Sequence, residues 1–135
     1  MKVRRGAVIR GAGVALACLA SNPSARSRVL FAAYAMGWPL DGRATACVGT
    51  HTHVPTADAR VLPGGTAYVS DVGMTGPRGG VIGVKRELAL ERFLTMTNVR
   101  FETSGEDPWL NAVLVEADSN GRATAIEQLL LPAEL

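Results

Sequence analysis

Residues 48–77 read VGTHTHVPTADARVLPGGTAYVSDVGMTGP, and the order of signals inside this stretch decides the fold. The short apolar run Ala44–Val48 leads into it and reads as a buried strand, because a brief apolar run bounded by turn signals suits that role. The strand ends in Gly49-Thr-His-Thr-His53. Pro55 prevents regular continuation, so residues 54–58 read as a loop. Arg60–Leu62 and Thr66–Ser70 flank Pro63-Gly64-Gly65, where a fixed φ is followed by permissive residues, and this predicts a hairpin. Asp71–Gly83 then packs five glycines and one proline into thirteen residues. A loop that long and that rich in glycine, inside a compact domain, points to function.

Downstream, Lys85–Met96 has the spacing of a helix, with Leu88, Leu90, Phe93 and Leu94 forming most of an apolar face. Glu87 and Glu91 are like charges one turn apart, so packing is expected to hold this helix together. Val99–Thr103 alternates like a strand. Leu110–Ala117 and Arg122–Leu131 bracket Asp118-Ser119-Asn120-Gly121, a strong hairpin signal. Upstream, the helix formers of residues 28–38 predict a short helix stopped by Gly37 and Pro39. The whole pattern is α/β. Trp38, Trp109, Phe93 and Phe101 are expected to pack in the core or at its edge.

Composition narrows the classes further. The chain has 135 residues, 47% of them hydrophobic and 19% charged, enough for one globular domain. No apolar run is long enough to span a bilayer. The net charge of +2 conceals a division: residues 1–40 hold six bases and no acid, while residues 41–135 hold twelve acids and eight bases. Basic residues, the apolar stretch 11–20 and small residues near Ala25 give residues 1–27 the outline of a secretory signal. A basic arm for nucleic acid or anionic lipid is a second reading, and sequence foreign to the fold is a third. The few aromatics and the acidic remainder exclude a nucleic-acid platform. Cys18 and Cys47 form no disulfide framework, and Cys47 is expected to be a reduced, buried thiol.

Both histidines of the chain fall in one pentapeptide. On an extended chain His51 and His53 would point to the same side and present two imidazoles to one cavity. Their position past a strand end is where α/β folds place ligand sites, and imidazole is a common metal ligand. Carboxylates would have to complete such a site, and Asp71 and Asp58 are the nearest, Asp71 the better placed. Asp58 equally fits a turn-capping role. Backbone N–H groups around Gly73, Thr75 and Gly76 could form a nest for a phosphate, although a tight loop with positive-φ positions explains the glycines as well. The loop matches neither a Walker A motif nor a dinucleotide fingerprint.

The runs Gly37-Trp-Pro-Leu-Asp-Gly-Arg43, residues 48–77 and Val81-Ile-Gly-Val84, with ERFLT, VRFE and LNAVLVE beyond them, resemble the C-terminal half of the YmdB-like metallophosphoesterases, within the calcineurin-like phosphoesterase group. The resemblance covers about residues 37–118. It implies a four-layer α/β sandwich, of which this chain would hold the C-terminal half. It implies a cytoplasmic phosphodiesterase acting on small nucleotides, notably 2′,3′-cyclic ones, through two metal ions of iron or manganese type. His51 and His53 match the pair that ligates the metals, while Asp71, Gly73, Thr75 and Gly76 fall on the substrate-side loop. Two cations can activate a water and neutralise charge on the phosphoryl oxygens.

The departures carry equal weight. The family's early aspartate, its bridging acid with an asparagine, and its asparagine-histidine pair belong to an N-terminal half that has no match here. Arg26-Ser27-Arg28 stands where a metal-binding His-Ala-Glu is expected, and a protonated arginine cannot ligate a metal. Arg78-Gly79-Gly80 replaces a more polar stretch of the family's loop. The resulting expectation is a partial site on residues 37–135 that is inactive or weakly active alone. Residues 1–36 are expected to be non-homologous, whether out of frame or, if residues 1–25 are a true signal, exported. A homo-oligomer, a separate polypeptide carrying the missing half, and a small exported binding protein remain open alternatives.

Overall fold

The computed structural model describes residues 35–133. The expectations for a signal, for Cys18 and for Arg26–Arg28 lie outside the described residues. Two three-stranded sheets form the body. In the first, β1 (Ala46–Val48) runs parallel to the central β3 (Ala67–Val69), and β2 (Arg60–Val61) pairs antiparallel on its other side. In the second, β4 (Gly76–Pro77), β5 (Pro108–Ala117) and β6 (Ala123–Pro132) are antiparallel in that order.

The expected hairpins are present. Leu62 N–H donates to Thr66 O (2.8 Å) and Gly65 takes φ 94° in the β2–β3 turn. Asp118 Oδ1 accepts from the N–H groups of Asn120 and Arg122 in the β5–β6 turn, each at 2.9 Å. An irregularity at Glu116/Ala117 shifts the register. Central β3 is buried at every residue instead of alternating, because it has a neighbour on both edges and β6 packs against it. Ala123 N–H donates to Gly65 O (2.7 Å), tying the second sheet to the hairpin of the first. Leu62, Ala67, Tyr68, Val69 and Ala123 make up a small core.

Three expectations are corrected. Residues 35–40 are helical (α1), so the helix runs through Gly37 and Pro39 and does not stop there. Gly37 answers to packing: a Cβ at this position would lie 2.7 Å from the Tyr68 ring. The chain leaves α1 at a turn that brings Gly42 to φ 73°. Residues 99–103 form no strand, because their only ladder contact among the described residues is a single bridge between Thr103 and Val84. Helix α2 (Arg86–Thr95) exists, but it buries none of its residues. Phe93, Leu94 and Met96 are 77%, 76% and 86% exposed.

The expected core role of Trp38, Phe93 and Phe101 fails with this, since all three are exposed. Phe101 instead lies under the Arg92 guanidinium (4.9 Å) and Trp109 under that of Arg78 (4.2 Å). Cys47 is half-buried, and that burial pushes its thiol pKa up, so it stays the unreactive form. Among the described residues no helix is long and apolar enough to cross a membrane.

Candidate functional site

The loop that follows β1 is built around one carboxylate, Asp71, from the segment that leaves the neighbouring strand β3. Gly49 N–H donates to Val69 O (3.0 Å) and Val72 N–H to Gly49 O (2.9 Å), so the two chains leave the sheet side by side. The approach is so close that a Cβ on Gly49 would sit 2.0 Å from Ser70 O. This delivers Asp71, 2% exposed, beneath residues 50–53. Asp71 Oδ2 accepts from the His51 N–H (2.9 Å), the Thr52 N–H (2.6 Å) and the Thr52 hydroxyl (2.7 Å). Its Oδ1 accepts from the Gly73 N–H (2.8 Å).

Burial alone would raise the pKa of Asp71, but the bonds from Thr52, Gly73 and His51 outweigh it and hold the carboxyl below its ordinary value. Asp71 therefore spends its oxygens on the loop. Asp58 has the turn-capping role: its Oδ1 accepts from the Thr56 hydroxyl (2.7 Å) and the Ser70 N–H (3.1 Å). These bonds likewise outweigh burial and lower its pKa.

The backbone at the histidines is not extended. Residues 52–54 bend and His53 takes φ 69°, so strand alternation does not relate the two rings. Instead His53 reaches across to residue 82, where Nδ1 lies 2.9 Å from Ile82 O. A carbonyl oxygen only accepts, so Nδ1 carries a proton, and in the neutral ring the lone pair then lies on Nε2. Ile82 is itself at φ 44°, a costly conformation for a β-branched residue. Strain at both ends of one hydrogen bond is the kind that persists where surrounding structure over-determines it.

His53 lines a cavity of about 200 Å³, with Met74, Pro77, Arg78, Ile82 and Asn111 among its other walls. His51 does not line it. The glycine loop forms one side. Gly73 is at φ 87°, and a Cβ there would meet Asn111 Nδ2 at 2.7 Å and Pro55 Cδ at 2.8 Å. Its N–H, expected to open a phosphate nest, is already given to Asp71. Met74 N–H donates to His53 O (3.1 Å). The Thr75 hydroxyl donates to Asn111 O (3.0 Å), and Gly76 pairs with Trp109 in the second sheet. The loop thus joins the two sheets beside His53.

Asn111 was not singled out by its sequence, although a lone amide inside LNAVLVEA was the available signal. Its Nδ2 donates to Met74 O (2.7 Å), and its Oδ1 is buried without a partner among the described residues. A metal would find donors of the right kind here, since an imidazole anchored through Nδ1 to a carbonyl is the usual arrangement of a metal-ligating histidine. The described residues contain no group of three or more His, Cys, Asp or Glu side chains positioned to hold an ion.

A family model described as YmdB-like protein matches residues 32–129. The chain belongs to the YmdB-like family. It is 50% identical over 98 residues to a 2′,3′-cyclic-nucleotide 2′-phosphodiesterase of Bacillus subtilis (strain 168), covering 72% of this chain and 37% of that protein. Its fold matches the crystal structure of a hypothetical protein from Thermus thermophilus with a TM-score of 0.72 and 40% identity, covering 78% of this chain and 41% of the other. It also matches a structure described as a novel phosphatase from Mycoplasma pneumoniae with a TM-score of 0.70 and 32% identity, covering 90% and 50%. The YmdB-like chain thus spans half or less of the length of each of these relatives. Its mixed helix-and-sheet architecture is part of their larger α/β fold, as the sequence led one to expect.

Proposed function

We propose that this chain supplies the histidine loop and one cavity wall of a metal-dependent phosphodiesterase site, acting in the cytoplasm on small phosphodiesters such as 2′,3′-cyclic nucleotides. The observation that carries the reading is the fixed tautomer of His53, whose Nε2 is left as a lone pair beside a cavity. The name of the Bacillus relative supplies the reaction class. His51 and His53 would hold the metals, of iron or manganese type. Such ions, when bound, polarise the phosphoryl group and neutralise its developing charge.

The chain's own residues then have distinct tasks. Asp71 orients the backbone at His51 and Thr52 from below. Met74, Pro77 and Ile82 give the bound ligand an apolar wall. Asp71, Gly73, Thr75 and Gly76 form the substrate-side loop by holding its shape; the free anion donors of this reading lie elsewhere. Two imidazoles are too few for a two-metal centre, so the other ligands and the proton donor come from outside the described residues.

The uncovered side of α2, with Leu90, Phe93, Leu94 and Met96 exposed, favours a second, compatible reading: the chain acts as a module completed by a polypeptide carrying the N-terminal half. The test is hydrolysis of 2′,3′-cyclic AMP with Mn²⁺, by the purified chain alone and after mixing with the N-terminal half of the Bacillus relative. Trace activity alone and a gain on mixing, abolished by His51→Ala or His53→Ala, is expected. Robust hydrolysis by the chain alone overturns the partial site. No hydrolysis in either arm overturns the phosphodiesterase reading.

A further inference from the structure

The cavity beside His53 has one charged wall that the metal reading does not use. Arg78 lines it. The guanidinium is held 4.2 Å from the centroid of the Trp109 ring, and the ring is fixed in turn because its Nε1–H donates to Asp107 Oδ1 (2.7 Å). The backbone on either side is also anchored: Arg78 N–H donates to Asp107 O (2.8 Å) and Gly79 N–H to Glu106 O (3.1 Å). A Cβ at Gly79 would come within 2.5 Å of Glu106 Cβ, so this segment lies flush on the chain leading into β5.

Arg78 makes no ion pair among the described residues, whereas Lys85 and Arg86 nearby are paired with Glu102 and Glu106. Among the described residues no carboxylate lines the cavity. The result is an exposed cation, held against the Trp109 ring before any ligand arrives, at the rim of a space whose walls mix apolar side chains with the His53 imidazole and the Asn111 amide. A stacked guanidinium of this kind suits phosphate, because its planar fork can bind two oxygens while its face stays on the ring. The volume, about 200 Å³, is below the roughly 300–1,000 Å³ of pockets for drug-sized ligands. It is of a size for a phosphoryl group with a sugar or one ring system.

We propose that Arg78 is the anion-binding residue of this cavity and grips a phosphoryl group of a small phosphoester, independently of any metal. The choice of phosphate over another anion rests on the phosphodiesterase reading; the pre-held charge does not. Such a site would give this chain an affinity for phosphorylated ligands that the histidine pair alone does not provide.

The experiment is calorimetric titration of the full 135-residue chain in EDTA with adenosine 3′-monophosphate, and in parallel with adenosine and with inorganic phosphate. The monophosphate is expected to bind at least about tenfold more tightly than adenosine, as one charge-assisted contact implies. Arg78→Gln should remove about tenfold of that affinity, and Arg78→Lys, which keeps the charge but loses the fork and the stack, should fall between. Inorganic phosphate should compete for the site. Equal affinities for the parent and Arg78→Gln, or no binding of the monophosphate by the parent, overturn the proposal. A separate Mn²⁺ titration of the parent and His51→Ala tests the metal reading, so binding in EDTA with no Mn²⁺ uptake leaves Arg78 standing and sinks the metal centre.

Discussion

His53 Nδ1 lies 2.9 Å from Ile82 O, and both residues hold positive φ, 69° and 44°. One hydrogen bond therefore joins two strained positions 29 residues apart. It selects the tautomer of the ring and points Nε2 away from the backbone that anchors it. The neutral His53 ring is expected to carry its proton on Nδ1. Nitrogen-15 NMR of the imidazole settles the point, and a ring protonated on Nε2 would contradict the geometry.

Asp71 is the support beneath His51 and Thr52. Asp71→Asn puts an amide N–H where donors already converge, and its cost is expected to be about 3 kcal/mol, the scale of bonds to a buried charged acceptor. Hydrogen exchange should accelerate first at the amides of His51 and Thr52, which donate to this carboxylate. Unchanged protection at those amides would remove Asp71 from its supporting role.

The acid response follows from the same bonds. Asp71 and Asp58 titrate below their ordinary value when folded, so the unfolded chain binds protons first as the pH drops. The stability they contribute is complete above the ordinary aspartate value of about 3.9 and is lost as pH falls through their lowered folded values. Melting temperature followed from neutral to about pH 2 should drop in that window, and less steeply in Asp71→Asn.

Gly49 is expected to be irreplaceable even by alanine. A Cβ would meet backbone atoms, with Ser70 O at 2.0 Å and Ser70 C at 3.0 Å, so no side chain can swing aside. Gly49→Ala should cost about 1–3 kcal/mol, the usual range for overpacking. Chemical denaturation of the variant measures it, and a neutral outcome would mean that β1 and β3 separate more easily than their pairing indicates.

What could be read in advance was local. The β5–β6 hairpin announced itself through Asp118-Ser119-Asn120-Gly121 between two apolar runs, and the β2–β3 turn through Pro63-Gly64-Gly65. The histidine loop was visible as the place to look. The partners were not, because Asp71 contacts residues about twenty positions away and no spacing rule reports that. Strand alternation misjudged His51 and His53, since His53 leaves the extended region to reach Ile82. Nothing in a β-branched residue advertises φ 44°. Gly37 looked like a helix stop because its true reason, the Tyr68 ring, lies far along the chain. Residues 99–103 have the alternation of a strand, but alternation needs a neighbouring ladder, and Val84 offers one bridge only.

The contrast between the hairpin and the histidine loop also sets an order of events. The β5–β6 turn closes over a few residues, a microsecond-scale step for hairpins. The loop waits for β1 to find β3 across the intervening hairpin, with Ala46 facing Ala67, and pairing of such separated segments is slower. A refolding chain thus owns a scaffold before it owns a site. For an interval His51 and His53 hang on an unclosed loop, and on the proposed metal reading Mn²⁺ added before refolding is expected to lower the yield of folded chain relative to Mn²⁺ added afterwards.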